Sequence, residues 1–198
     1  MMLRIDLEIL QQWIAPNSRV LDLGCGDGTL LQSLTETRGI EGYGLEIDPE
    51  RITACIEKGV NVIETDINQG LSQYPDDSFD TVVMTNSLQA LTRPDRTLGE
   101  MLRIGKECVV TFPNFGNIRS RTFLAVRGRM PVTKQLTYQW FDTPNIHFCT
   151  VRDFEALCHD MEIRVLHREV VTERKPDRHL KSIWPNLFGE TAVYHLSK

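Results

Sequence analysis

Apolar positions along this chain recur with two periods, and the switches between them mark its elements. Leu3, Leu7, Leu10 and Ile14 fall at steps of four, three and four, which predicts an amphipathic helix ending at Pro16. Arg19–Leu23 reads as a short strand that runs into Gly24. A helix over 29–38 follows, with Leu30, Leu31 and Leu34 on one side and Gly39 closing it. Gly42–Glu46 is a second strand, and Asp48 then caps a helix over 49–58 whose first residue is Pro49. Asn61–Glu64 is strand three, and Tyr74–Asp80 is a loop before a buried strand at Thr81–Thr85. Pro94–Gly105 reads as a helix with Leu98, Met101 and Leu102 inward, and Cys108–Phe112 as a fifth strand stopped by Pro113. Strands alternating with helices at this spacing predict a parallel sheet wound by right-handed crossovers.

The pattern loosens between Pro113 and Cys149, where the spacing supports one helix (117–127) among many aromatics. Order resumes with a helix at 151–160 capped by Thr150, and strands near 162–168 and 190–196 follow. The chain of 198 residues, 41% apolar and 25% charged, fits a single α/β domain over 1–198. Within it, about 1–112 is the cofactor-binding half, about 113–149 an insertion for a lid, substrate or partner, and about 150–198 the closing helix and strands.

Composition narrows the classes. No apolar run approaches the roughly 18 residues that span a bilayer, so no membrane segment is expected. The opening MMLRIDLEIL mixes acids with apolar residues and does not read as a signal peptide, which predicts a cytoplasmic protein. Cys25, Cys55, Cys108, Cys149 and Cys158 lie far apart without a CxxC pair and read as reduced, mostly buried thiols. His147, His159, His167, His179 and His195 also lack ligand spacing, so no metal is expected. Residues 1–107 carry 9 basic and 18 acidic side chains, and residues 108–198 carry 13 and 9. That balance gives no argument for nucleic acid, but it leaves room for an acidic substrate or partner of the second half.

The densest local signal is Val20-Leu21-Asp22-Leu23-Gly24-Cys25-Gly26-Asp27-Gly28. A strand ends, alternate glycines turn tightly, and a helix begins, so a ligand can approach the backbone closely. Asp22 and Asp27 bracket the turn with no Lys or Arg near them in sequence, and Thr29 stands where GxGxxG needs its last glycine. Two carboxylates repel a pyrophosphate and suit a ligand carrying ammonium and sulfonium groups, which favours S-adenosylmethionine (SAM) over NAD. Glu46, at the end of the second strand, is placed to accept bonds from both ribose hydroxyls. Ile47 offers adenine an apolar face, and Asp66, in the segment Thr65-Asp66-Ile67, is placed to meet the adenine amino group.

VLDLGCGDG, GLEID, TDI and SFDTVVM together resemble class I SAM-dependent methyltransferases over about residues 18–112. The resemblance implies a Rossmann-like, mostly parallel seven-stranded sheet with an antiparallel last strand and helices on both faces. It implies SAM or S-adenosylhomocysteine (SAH) as cofactor, held by Asp22, Gly24, Cys25, Gly26, Gly28, Glu46, Ile47, Asp66 and Ile67. The segments ACIEKGVNVIETDIN, VVMTNSLQAL, VTFPNFGNIRSR, GRMPVT, TPNIHFCTVRDFEALC and WPNLFGE resemble the methionine-biosynthesis family MetW across nearly the whole chain. That resemblance implies a cytosolic bacterial protein acting with a homoserine O-acyltransferase (MetX).

The resemblance supplies no methyl acceptor. Many small-molecule methyltransferases carry a pattern like LEH after strand four and RVLKPGG before strand five; here these stretches read Leu88-Gln89-Ala90 and Arg103-Ile104-Gly105-Lys106-Glu107. The catalytic residue therefore stays unassigned. His147 is a candidate base, against the alternative of a histidine that hydrogen-bonds near the cap of the last helix. Tyr138, Trp140 and Phe141 could close over a substrate or belong to the core or an interface, and Arg121 and Arg129, two turns apart, could share a helix face with Arg119 and Arg127 nearby. Trp184-Pro185-Asn186 reads as a loop. Two functions stay open: an activator of the acyltransferase that reports SAM, and an active methyltransferase on a small metabolite.

Overall fold

Side chains along the central strands alternate between two apolar clusters, as the period of two requires. Leu21, Val82, Met84 and Val110 join one cluster, while Val20, Val83, Val109 and Val193 join the other. The computed structural model describes residues 4–133, 136–172 and 180–198. Leu3 and His179 lie outside the described residues.

The chain runs α1 (Ile5–Trp13), β1 (Arg19–Leu23), α2 (Thr29–Arg38), β2 (Glu41–Glu46), α3 (Pro49–Glu57), β3 (Asn61–Glu64) and β4 (Phe79–Thr85). It continues through α4 (Pro94–Ile104), β5 (Gly105–Pro113), α5 (Ile118–Arg127), α6 (Val151–Asp160), β6 (Arg164–Val171), the one-turn helix α7 (Pro185–Phe188) and β7 (Thr191–Ser197). The strands form a seven-stranded sheet in the order β3-β2-β1-β4-β5-β7-β6, with β7 antiparallel to both neighbours. This is the expected Rossmann-like architecture. Helices cover both faces: α1 and α2 bring Leu10, Ile14, Leu31 and Leu34 to one cluster, and α4 and α6 bring Leu98, Met101 and Phe154 to the other. No helix among the described residues is long and apolar enough to cross a membrane.

Local chemistry sets most boundaries. Asp48 accepts from Glu50 N at 2.9 Å before Pro49, and Thr150 and Asp153 form a reciprocal capping box at α6. Three expectations need correction. α4 passes into β5 without a connector, so β5 starts at Gly105, before the predicted Cys108; a Cβ on Gly105 would lie 2.6 Å from Val82 Cγ2. β6 spans Arg164–Val171 because, at the sheet edge, it exposes most of its polar side chains and shows little apolar signal. Trp184-Pro185-Asn186 is not a loop: Trp184 occupies the cap position and Pro185 the first position of α7, where a missing N–H costs nothing.

The sheet order also places the site. The chain moves outward from β1 through β2 to β3, then returns to add β4 on the other side of β1. Such a switch point opens a crevice beyond the carboxyl ends of the strands.

Candidate functional site

A cavity of about 1000 Å³ lies in that crevice, with Gly24, Glu46, Thr65, Asn86 and Pro113 at or just beyond the ends of β1 to β5. A second cavity of about 700 Å³ adjoins it along α1 and α2. Arg4, Gly24, Arg51, Asn86 and Ser87 line both, so the two form one trough.

The glycine loop is fixed to β2: Gly24 N and Cys25 N donate to Leu45 O at 2.8 and 3.1 Å. Gly24 has φ +74° and faces the segment after β4, where its Cβ would fall 2.8 Å from Ser87 Oγ. Gly28, at φ +75°, packs away from the trough, its Cβ position 3.0 Å from Cys55 Sγ and 3.1 Å from Val60 Cγ2. The sequence groups it with the ligand contacts; the structure gives it helix packing, and Gly28 does not line either cavity.

Glu46 holds the loop from the other side. Its Oε2 accepts from Gly26 N at 2.8 Å, and its Oε1 accepts from Ile47 N at 2.9 Å and Asp48 N at 3.1 Å. Three of its roughly four acceptor directions are thus used inside the protein. Arg51 Nη1 stands 3.9 Å from Oε2. Asp22 is the opposite case. It is buried, lines the smaller cavity, and neither carboxyl oxygen has a hydrogen-bond partner among the described residues. Burial pushes its carboxyl up to about 7, with the nearby Glu46 charge adding to the rise.

Asp27 corrects the electrostatic expectation. Lys58 reaches it from the end of α3 at 2.6 Å and also donates to Thr29 Oγ1 at 2.7 Å. Burial pushes the Asp27 carboxyl up, but bonds from Lys58 and Thr29 outweigh this and hold it below its ordinary value. A basic residue 31 positions away therefore neutralises one of the two acids, and Asp22 alone keeps an uncompensated carboxyl.

The remaining candidates divide. Ile47 is 57% exposed and lines the larger cavity with Asp66 and Ile67. Asp66 caps the turn that follows, accepting from Asn68 N at 2.9 Å. Cys25 lines the smaller cavity with its Sγ 3.9 Å from Cys55 Sγ; burial, then the charge of Asp22, pushes its thiol well above the usual range. Tyr138 lines the larger cavity, whereas Trp140 and Phe141 are exposed and meet edge-on outside it. His147 is also exposed and outside the cavity lining; its N donates to Gln89 O at 3.0 Å and its Nε2 sits 3.4 Å from Thr92 O. Arg121 and Arg129 do not share a helix face, because α5 ends at Arg127 with Gly128 left-handed, and Arg121 Nε donates to Gly116 O at 2.6 Å.

Sequence reasoning missed Arg4, Asp6, Asn86 and Glu190. Asn86 has φ +53° straight after β4, a conformation asparagine tolerates, and its N donates to Thr111 O at 2.9 Å. With its amide oriented as its neighbours require, its oxygen accepts from Arg4 at 2.9 and 3.3 Å. Arg4 grips Asp6 with two bonds of 3.2 and 2.8 Å. The one local signal was an Asn-Ser pair closing a strand; the rest depends on contacts across the fold.

A family model described as "Methionine biosynthesis protein MetW" matches residues 4–196. A bifunctional methionine biosynthesis protein MetXA/MetW from Rhodopirellula baltica is 33% identical over 96% of this chain, which spans 32% of that relative's length. A ubiquinone biosynthesis O-methyltransferase from Hahella chejuensis is 30% identical over 70% of this chain and 61% of its own length. A SAM-dependent methyltransferase structure from Archaeoglobus fulgidus superposes with a TM-score of 0.66 at 19% identity, covering 97% of this chain and 94% of that one.

Proposed function

This chain belongs to the MetW family of methionine-biosynthesis proteins, and from that premise we propose that it binds SAM or SAH in the trough and acts with a homoserine O-acyltransferase. The observation that carries the cofactor half is Asp22, a buried carboxyl with two unpartnered oxygens on the cavity wall. A ligand ammonium supplies both the missing donor and the missing charge, while a phosphate meets repulsion. Farther along, Oε2 of Glu46 keeps room for a ribose hydroxyl beside Gly26 N. Ile47 and Ile67 flank the adenine, and Asp66 accepts from its amino group.

When bound, SAM supplies a methyl group activated by its sulfonium. The residues named here bind and orient; none serves an acceptor as base. Gln89, where related enzymes place a histidine, donates its Nε2 to Asn86 O at 2.6 Å and does not titrate. The MetXA/MetW relative, one chain named for both functions, supports the partner half, because joining two units raises their effective concentration. The test is a reconstitution: the acyltransferase copurifies with this chain and its rate rises on adding it. An unchanged rate contradicts the partnership.

The volume favours a second reading. A cavity of about 1000 Å³ stands at the upper end of the roughly 300–1,000 Å³ typical of ligand sites and has Tyr138 on its wall, which suits a small methyl acceptor. Label transfer from SAM to a cell extract tests it. The control is Gly26→Arg, which forces an arginine to φ +59° in the loop; transfer no greater than that control's contradicts the reading.

A further inference from the structure

The larger cavity has two chemically different ends. One is the wall after β2 and β3, assigned above to the nucleoside. The other forms where β5 ends and β7 begins: Thr191 pairs with both Pro113 and Val171, and Asn114 N donates to Glu190 O at 2.9 Å. Glu190 lines this end with a carboxylate only 7% exposed, 2.7 Å from Arg119. Asp6 lines it too, 6% exposed and gripped by Arg4. Carboxylates buried in a cavity wall carry a desolvation cost that a ligand cation offsets.

Two further groups define what fits. Arg4 spends four of its five N–H groups on Asp6 and Asn86, which leaves one N–H and a half-exposed guanidinium for an anion. Gln89, 9% exposed on the same cavity wall, has an Oε1 with no hydrogen-bond partner among the described residues. Neither Arg119 nor Glu190 belongs to the glycine loop or the nucleoside wall, yet the fold brings them together from positions 71 residues apart.

We propose that this end of the cavity is a second ligand site and takes an α-amino acid with an uncharged side chain. The ammonium lies beside Glu190 and donates to Gln89 Oε1, the carboxylate faces Arg4, and the side chain rests on Pro113 and Val171. An acidic side chain is disfavoured by Asp6 and Glu190. The assignment rests on the cofactor reading, which fills the opposite end and leaves this one for a separate molecule.

Calorimetric titration with L-methionine, run on the chain with and without saturating SAH, tests the site. Methionine binds the SAH-loaded chain, and its deaminated and decarboxylated analogues each bind at least tenfold more weakly. Glu190→Gln weakens methionine at least tenfold with SAH affinity unchanged; Arg4→Gln, which leaves the Arg119 pair intact, also weakens methionine. The proposal is overturned if methionine gives no binding heat to a chain that binds SAH, or if neither variant changes its affinity. Absent SAH binding contradicts the cofactor reading alone, since the dependence of methionine binding on Glu190 is still read without SAH.

Discussion

Asp22 and Glu46 sit one strand apart and have opposite hydrogen-bonding states, and each state makes a prediction. The folded chain keeps the Asp22 proton up to about pH 7, whereas the unfolded carboxyl loses it near 3.8. The folded state then binds more protons between those values, so stability falls as pH rises from about 4 through 7. Asp22→Asn removes this dependence: its melting temperature matches wild type near pH 4 and exceeds it near pH 8, by up to on the order of 4 kcal/mol. The same carboxyl makes binding proton-linked. An ammonium ligand ionises Asp22, so SAH affinity rises with pH up to about 7 and binding at lower pH releases a proton, measurable by calorimetry in buffers of different ionisation enthalpy. Glu46→Ala strips acceptors from three backbone N–H groups, and thermal melting should show a loss of about 1–3 kcal/mol. Neither state was legible in the sequence, which placed both acids at strand ends and stopped there.

Elements governed by short-range chemistry were readable. β1, the loop and α2 came out at their observed bounds because glycine turns, caps and apolar spacing all lie within a few residues of one another. The edge strand β6 and the turn α7 were misread because pairing, not local pattern, creates them. The site suffered the same limit: Lys58 on Asp27, Arg4 on Asn86 and Arg119 on Glu190 each join distant segments. Two substitutions separate loop position from general stability. A Cβ on Gly44 falls 2.9 Å from Cys25 Cβ and against its Sγ, so Gly44→Ala pushes on the glycine loop from β2. It should cost about 1–3 kcal/mol in a thermal melt and weaken SAH. Thr150→Ala removes the cap of α6, costs about 1 kcal/mol by the same melt, and leaves SAH affinity unchanged.

At the scale of the molecule, the fold and family account for the first half of the chain more completely than the second. Residues 1–107 supply the trough's loop and nucleoside wall, while residues 108–198 add Pro113, Tyr138, Val171 and Glu190 to its far side. That far side distinguishes this trough from a bare cofactor crevice, and a chain whose relative joins it to an acyltransferase has a reason to couple the two. Coupling between a bound ligand and a partner is reciprocal, so a partner that reads the trough must alter what the trough binds. Titrating SAH calorimetrically into the chain, alone and with homoserine O-acyltransferase present, tests this most directly. The account predicts saturable binding to the chain alone and a changed affinity with the partner; a folded chain that takes up no SAH in either titration contradicts it.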